Sequence, residues 1–180
     1  MLIFILALIP RGVQLVQLRA ASPTFEAPEG GDSIFYDRVA RGDEVQKRAY
    51  FHSPLYRWFV SGCYSVFGRD LLALRVVQGL LGALAAALVV LLARRLFTSE
   101  LLAALAGALY AICAPLVFYE GQLLPAALLP ALMVATALGV LSWAERRTAL
   151  AGTLAGALLA LCALTRPTAL LWLPALLLWA

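Results

Sequence analysis

The sequence predicts an all-α fold, a polytopic bundle of membrane-spanning helices with one long polar loop. Three observations predict it. Of the 180 residues, 63% are hydrophobic and only 13% are charged, and mean hydropathy is +0.90; soluble domains carry about twice that share of charge. The apolar residues fall in runs that approach or exceed the roughly 20 a helix needs to cross a bilayer. The charged residues lie between those runs, most of them in a single stretch at about 19–70.

In chain order, residues 2–9 are purely apolar, and the first helix is expected to run on through Pro10 and Arg11 to about residue 18. An arginine in mid-span is costly unless it faces protein or water. Arg11 is therefore expected to point inward, or the helix to begin upstream of Met1. A signal peptide is the rival reading. It is disfavoured because no positive charge precedes the apolar run and no small-residue cleavage site follows it.

The polar stretch has regular structure of its own. "PTFEAPEGG" reads as a loop, broken by Pro23, Pro28, Gly30 and Gly31. Asp32 and Ser33 read as a helix start, with Ile34, Phe35 and Val39 on one apolar edge and Gly42 as the stop. A second short helix is expected from Pro54, a good first-turn residue. It is dense in Tyr56, Trp58, Phe59, Tyr64 and Phe67. Such aromatics favour the headgroup level, so both helices are expected to lie at the interface rather than cross it.

Further spans are expected at about 71–93, 101–119, 123–144 and, shorter, 149–164. The apolar run 168–180 is too short to cross and reads as a helix cut off where the chain stops. Gly152 and Gly156 form a small-xxx-small pattern that lets two helices approach closely. Arg94, Arg95, Arg146 and Arg147 occupy two short connections, whereas the alternate connections hold Glu120 and Arg166. Arginine-rich short loops stay in the cytoplasm. The N-terminus is thus expected inside and the 19–70 stretch outside.

The net charge of +4 marks no nucleic-acid partner, because no basic run is interleaved with aromatics. Cys63, Cys113 and Cys162 contain no CxxC, and two of them lie in spans, so neither a disulfide framework nor a zinc site is expected. One histidine, His52, cannot build a His-based metal cluster. No cofactor is certain, and a divalent metal is left open.

The ordered set "GGDSIFYDRVARGD", "FHSPLYRWF", "FGRDLLALRVVQGLLGALAAALVVLLARRLF", "YAICAPLVFYEGQLLPA" and "GALLALCALTRPTAL" resembles the N-terminal part of the polytopic GT-C glycosyltransferases. The nearest branch is the protein O-mannosyltransferase and lipid A aminoarabinose transferase group. The resemblance implies a multi-pass protein of a bacterial plasma or inner membrane. It implies a hexosyl- or pentosyltransferase that takes sugar from a polyprenyl-phosphate carrier and passes it to a protein, lipid or glycan acceptor on the outer side. Membrane lipids are the other expected partner. Family enzymes have about twice as many helices, so the chain reads as the N-terminal portion of such a protein.

In that family an acidic pair on the first outer loop binds or activates the acceptor. Asp32 matches its first position, and Ser33 replaces the second acid. A carboxylate within hydrogen-bond reach can take the acceptor's proton, although Asp32 could equally be a helix N-cap. Tyr36, one turn on, is expected to line the sugar pocket. Asp37 is expected on the solvated face with Arg38 and Arg41. A lysine that often precedes the later proline in the family is absent; Ser53 stands there, preceded by His52. Charge for the lipid phosphate must then come from Arg57, His52 or Arg166. Arg166, at the outer end of its helix, either snorkels or binds phosphate bidentately. His52 is either a packed aromatic neighbour or a proton relay. Glu120 is either an exposed helix end or a pocket residue. Arg75 is expected to snorkel or to pair with Asp70.

Two rivals to an inverting glycosyltransferase stand. A transporter or flippase would place charge or broken helices near the midplane. A non-catalytic membrane piece would only pack against partners.

Overall fold

The computed structural model describes residues 1–21, 25–28, 30–43, 52–172 and 174. Among them there are only helices, joined by short connections: α1 Leu2–Ala21, α2 Gly31–Arg41, α3 Pro54–Phe67, α4 Leu71–Leu96, α5 Glu100–Ile112, α6 Ala114–Glu120, α7 Leu129–Arg146 and α8 Ala149–Thr165. Two 3-10 turns, Pro125–Ala127 and Pro167–Leu171, precede α7 and follow α8. The expected helix at 168–180 and the break at Pro23 lie largely outside the described residues.

α1, α4 and the unit Pro125–Arg146 are long and apolar enough to cross a membrane. α5 and α6 together pass the same test as one broken span, bent by 51°. α8, at 17 residues, is apolar but short. The bundle turns the ordinary core inside out. On α4 the buried positions are mostly small or polar, including Arg75, Gln78, Gly82, Ala83, Ala85 and Ala86. Large residues such as Ile5, Ile9, Leu105 and Leu109 face outward. Between helices in lipid there is no hydrophobic drive, so close approach and hydrogen bonding hold the helices together.

The expected single helix at 101–119 is broken. Cys113 is extended, at φ −64° and ψ 100°, between α5 and α6. Pro115 has no N–H to return to the carbonyl four residues back. That orphan is Ala111 O, and Arg11 Nη1 donates to it at 3.3 Å. The expected start of the next span at 123 is also delayed, because Pro125 and Pro130 stand at the openings of the 3-10 turn and of α7.

The small-residue pattern is corrected in part. Gly152 does admit a neighbour, the Trp143 indole, but Gly156 faces open space. The close approach of α7 to α8 is instead at Gly139, where a Cβ would come within 3.3 Å of Ala155 Cα.

α2 and α3 pack on one end of this bundle. Gly42 stops α2 in the left-handed region (φ 82°), where a glycine carries no Cβ penalty. Ser53 caps α3, accepting from Tyr56 N at 3.2 Å, with Pro54 next to it. Tyr36, Tyr56, Val60 and Tyr64 meet Leu71, Leu74, Leu123 and Leu128 in one cluster. Fully burying Val60 or Leu74 contributes about 1.5–3 kcal/mol relative to exposure in water. At the opposite end, Arg95 Nη1 donates to Ser142 Oγ at 2.7 Å and lies 3.7 Å from Glu145. The two arginine-rich connections therefore sit side by side, a full α4 length from α2 and α3.

Candidate functional site

At the α2–α3 end is a cavity of about 700 Å³ lined by Asp32, Tyr36, His52, Thr165 and Arg166 on its polar side. Leu116, Tyr119, Leu129 and Pro130 give it an apolar wall. Four of the six residues singled out in the sequence thus meet, although 134 positions separate Asp32 from Arg166.

Asp32 is not the helix cap. Gly30 holds the N-cap position of α2, and no side chain bonds there. The Asp32 carboxylate is 65% exposed, and its Oδ1 lies 3.5 Å from His52 Nε2. The imidazole is fixed by its neighbours: it stacks on Phe35 at 3.7 Å between centroids and stands edge-on to Tyr36 at 5.9 Å. His52 is therefore both a packed aromatic and a partner of the acid.

Tyr36 is 2% exposed. Its hydroxyl oxygen accepts from Ser53 N at 3.0 Å. Burial pushes the phenol above its ordinary value and Asp32 adds to this, against the Ser53 amide and the Arg166 charge. It stays protonated at neutral pH. Ser53 Oγ donates to Leu164 O at 3.2 Å. That bond ties the start of α3 to the end of α8, and so fixes where Arg166 emerges. Arg166 itself ends α8, its amide closing on Cys162 O at 2.7 Å. Arg57 is half-buried on α3 and is not among the residues lining the cavity.

Glu120 is placed differently from an exposed helix end. It is 2% exposed, and its Oε1 accepts from Arg11 Nη2 at 3.0 Å. Arg11 Nε lies 2.7 Å from Oε2 as an ion pair, without the alignment of a hydrogen bond. Arg11 thus points inward, as its cost in mid-span demands. Its partner is an acid that the sequence places 109 residues away.

Two further readings are corrected. Asp37 is buried, not solvated: it accepts from Tyr64 Oη at 2.7 Å and from Arg69 Nε and Nη2, both at 3.1 Å, with Arg41 at 3.2 Å. Burial pushes its carboxyl up, but the hydrogen bonds from Arg69 and Tyr64 and the nearby charges outweigh this and hold it below the ordinary value. Arg75 neither snorkels nor pairs with Asp70. It is 5% exposed and donates to Gly121 O at 3.1 Å and Phe25 O at 2.7 Å, with the Phe25 ring 4.5 Å away. Asp70 instead caps α4, accepting from Leu72 N and Ala73 N. Sequence reasoning also missed Thr165 and the Pro115–Pro130 wall, whose only signal was the spacing of three prolines.

Fold and cavity define a polytopic integral membrane protein with an amphipathic site at one end of its bundle. The family model described as dolichyl-phosphate-mannose-protein mannosyltransferase matches residues 51–180, and the chain belongs to that family of GT-C-type membrane glycosyltransferases. The match covers His52, Arg57, Glu120 and Arg166 and begins after Asp32 and Tyr36. No curated protein and no solved structure matches the chain.

Proposed function

We propose that the protein transfers a hexosyl or pentosyl group from a polyprenyl-phosphate-linked donor to an acceptor on the outer side of the membrane. The observation that carries this reading is the convergence of an acid, a buried tyrosine and an arginine on one cavity with an apolar wall. A lipid-linked sugar presents three chemistries, an isoprenoid chain, a phosphate and a sugar. The cavity offers Leu116, Leu129 and Pro130 to the first, Arg166 to the second and Tyr36 with Tyr119 to the third.

In the proposed reaction the acceptor oxygen or nitrogen attacks the anomeric carbon. Asp32 takes the acceptor's proton, a role for which a carboxylate within hydrogen-bond reach suffices, and His52 can relay it onward. The bond from the anomeric carbon to the phosphate oxygen breaks, and the polyprenyl phosphate departs with the electron pair. The Arg166 guanidinium can meet that anion with two N–H donors. Configuration at the anomeric carbon inverts, in keeping with the lack of a second carboxylate beside Asp32 among the described residues. The family supports a protein acceptor. We place the N-terminus in the cytoplasm, on the rule that arginine-rich short loops remain inside, and the membrane as a bacterial plasma or inner membrane.

Arg166→Ala tests the reading. It should weaken binding of polyprenyl phosphate about tenfold or more, as loss of a charge-assisted contact does, while Arg57→Ala weakens it less. Equal affinity in wild type and Arg166→Ala would leave Arg166 a snorkelling residue and remove the phosphate from this cavity.

A further inference from the structure

α6 ends at Glu120 and residues 121–124 form no regular element, so the carbonyls at this helix end lack their i+4 helical partners. Side chains from three other helices supply donors to them. Gln14 of α1 reaches Phe118 O at 3.0 Å. Gln78 of α4 reaches Glu120 O at 2.7 Å and Gln122 O at 2.8 Å. Arg75 reaches Gly121 O at 3.1 Å, and Ser33 Oγ of α2 reaches Leu123 O at 3.3 Å. Tyr119 of α6, Leu124 of this stretch and Pro125 directly after it form part of the cavity wall. Its anchor is the pair Arg11–Glu120, 5% and 2% exposed. Arg11 also holds Ala111 O, the carbonyl orphaned by Pro115, and Ala7 O of its own helix at 2.8 Å. Gly82 lets the carboxylate in, since a Cβ there would collide with all three of its terminal atoms.

We propose that Arg11 and Glu120 are positioning residues of the transfer site: their pair fixes α1 against the broken α5–α6 span and so sets the wall that receives the donor. This assigns Glu120 a part outside the cavity and Arg11 a part in the site's geometry, and it rests on the donor reading above. A pair kept only to cancel two buried charges would be replaceable by two neutral residues of like volume, often without loss. A positioning pair would not be, because the bonds to Ala111 O and the tie to α6 disappear with it.

The test uses Arg11→Met, Glu120→Gln and the double variant in the full protein, purified in detergent. Each single change leaves one buried charge uncompensated and should lower the melting temperature. The double variant should recover the melting temperature. It should still exchange the amides of 121–128 about tenfold faster than wild type, with α4 unchanged, as a local opening does. Its KM for a polyprenyl-phosphate sugar should rise about tenfold with kcat nearly kept, the mark of lost binding geometry. Wild-type exchange and KM in the double variant would reduce the pair to charge compensation and overturn the proposal. Should the double variant not fold, Glu120→Asp keeps both charges and shortens the reach; wild-type exchange at 121–128 there would overturn it equally. Wild-type protein that shows no transfer would defeat the donor reading, and the exchange result would still decide the role of the pair.

Discussion

Asp32 stands second in α2 with an exposed carboxylate that caps nothing, so its removal should cost the fold little. Asp32→Asn is expected to change stability by no more than about 0.5 kcal/mol, as for other exposed positions. It should cut transfer on the order of 10²–10⁴-fold, the usual worth of a general base. Melting curves and a radiolabelled-donor assay on the same preparation check both halves; near-full transfer would remove Asp32 from catalysis. Asp37 behaves in the opposite way. Its carboxyl is held below the ordinary value once the bonds from Arg69 and Tyr64 outweigh burial. A lowered folded value means stability that is present above the unfolded value, about 3.9, and is lost as pH falls through the folded one. Wild type should therefore lose stability progressively below about pH 4. Asp37→Asn should be less stable at pH 7 by about 1–3 kcal/mol, the cost of leaving buried partners unpaired, and should lose part of that acid dependence. Parallel pH series of melting temperature would show it. The site was legible where a residue's chemistry was unusual for its surroundings: an acid in a polar loop, one histidine, an arginine at a helix end. Burial was not legible. Asp37 and Glu120 looked solvated because their cationic partners, Arg69 and Arg11, are distant in sequence, and no local pattern pairs them.

Helix ends announced by Pro54 and Gly42 were readable, since each acts through its own backbone, whereas the Asp70 cap of α4 was not read. The break at Cys113 was not read, because the apolar run continues across it and hydropathy carries no record of a missing N–H. Glycines on α4 and α8 give this scale its prediction. Gly82 adjoins the Glu120 carboxylate, which Arg11 prevents from moving aside, whereas Gly156 faces open space. Gly82→Ala should destabilise by about 1–3 kcal/mol, as overpacking does. Gly156→Ala should be neutral or stabilise by up to about 1 kcal/mol through helix propensity. Thermal melts of the two variants side by side test this, and a stabilised Gly82→Ala would mean that the pair yields easily.

Across the whole molecule, the arginine-rich connections and the cavity lie at opposite ends of α4, so one labelling experiment orients everything. With Cys63, Cys113 and Cys162 replaced by Ala, Ser65→Cys should react with an impermeant maleimide on intact cells, and Thr98→Cys only after permeabilisation. Ser65 and Thr98 are both exposed, and the reverse pattern would invert the proposed topology. The long reach of the Arg11–Glu120 pair also bears on biogenesis. Ribosomes add about 5–20 residues per second, so Glu120, 109 residues later, emerges some 5–20 seconds after Arg11. During that interval α1 must enter lipid with an unmatched guanidinium, which costs about 2.5–3.5 kcal/mol at mid-bilayer on insertion scales. Nascent chains arrested before residue 120 should hold α1 loosely, at the translocon or partly withdrawn, and those arrested well beyond it should hold α1 firmly. α1 is then committed only after α6, more than a hundred residues further on, has been made.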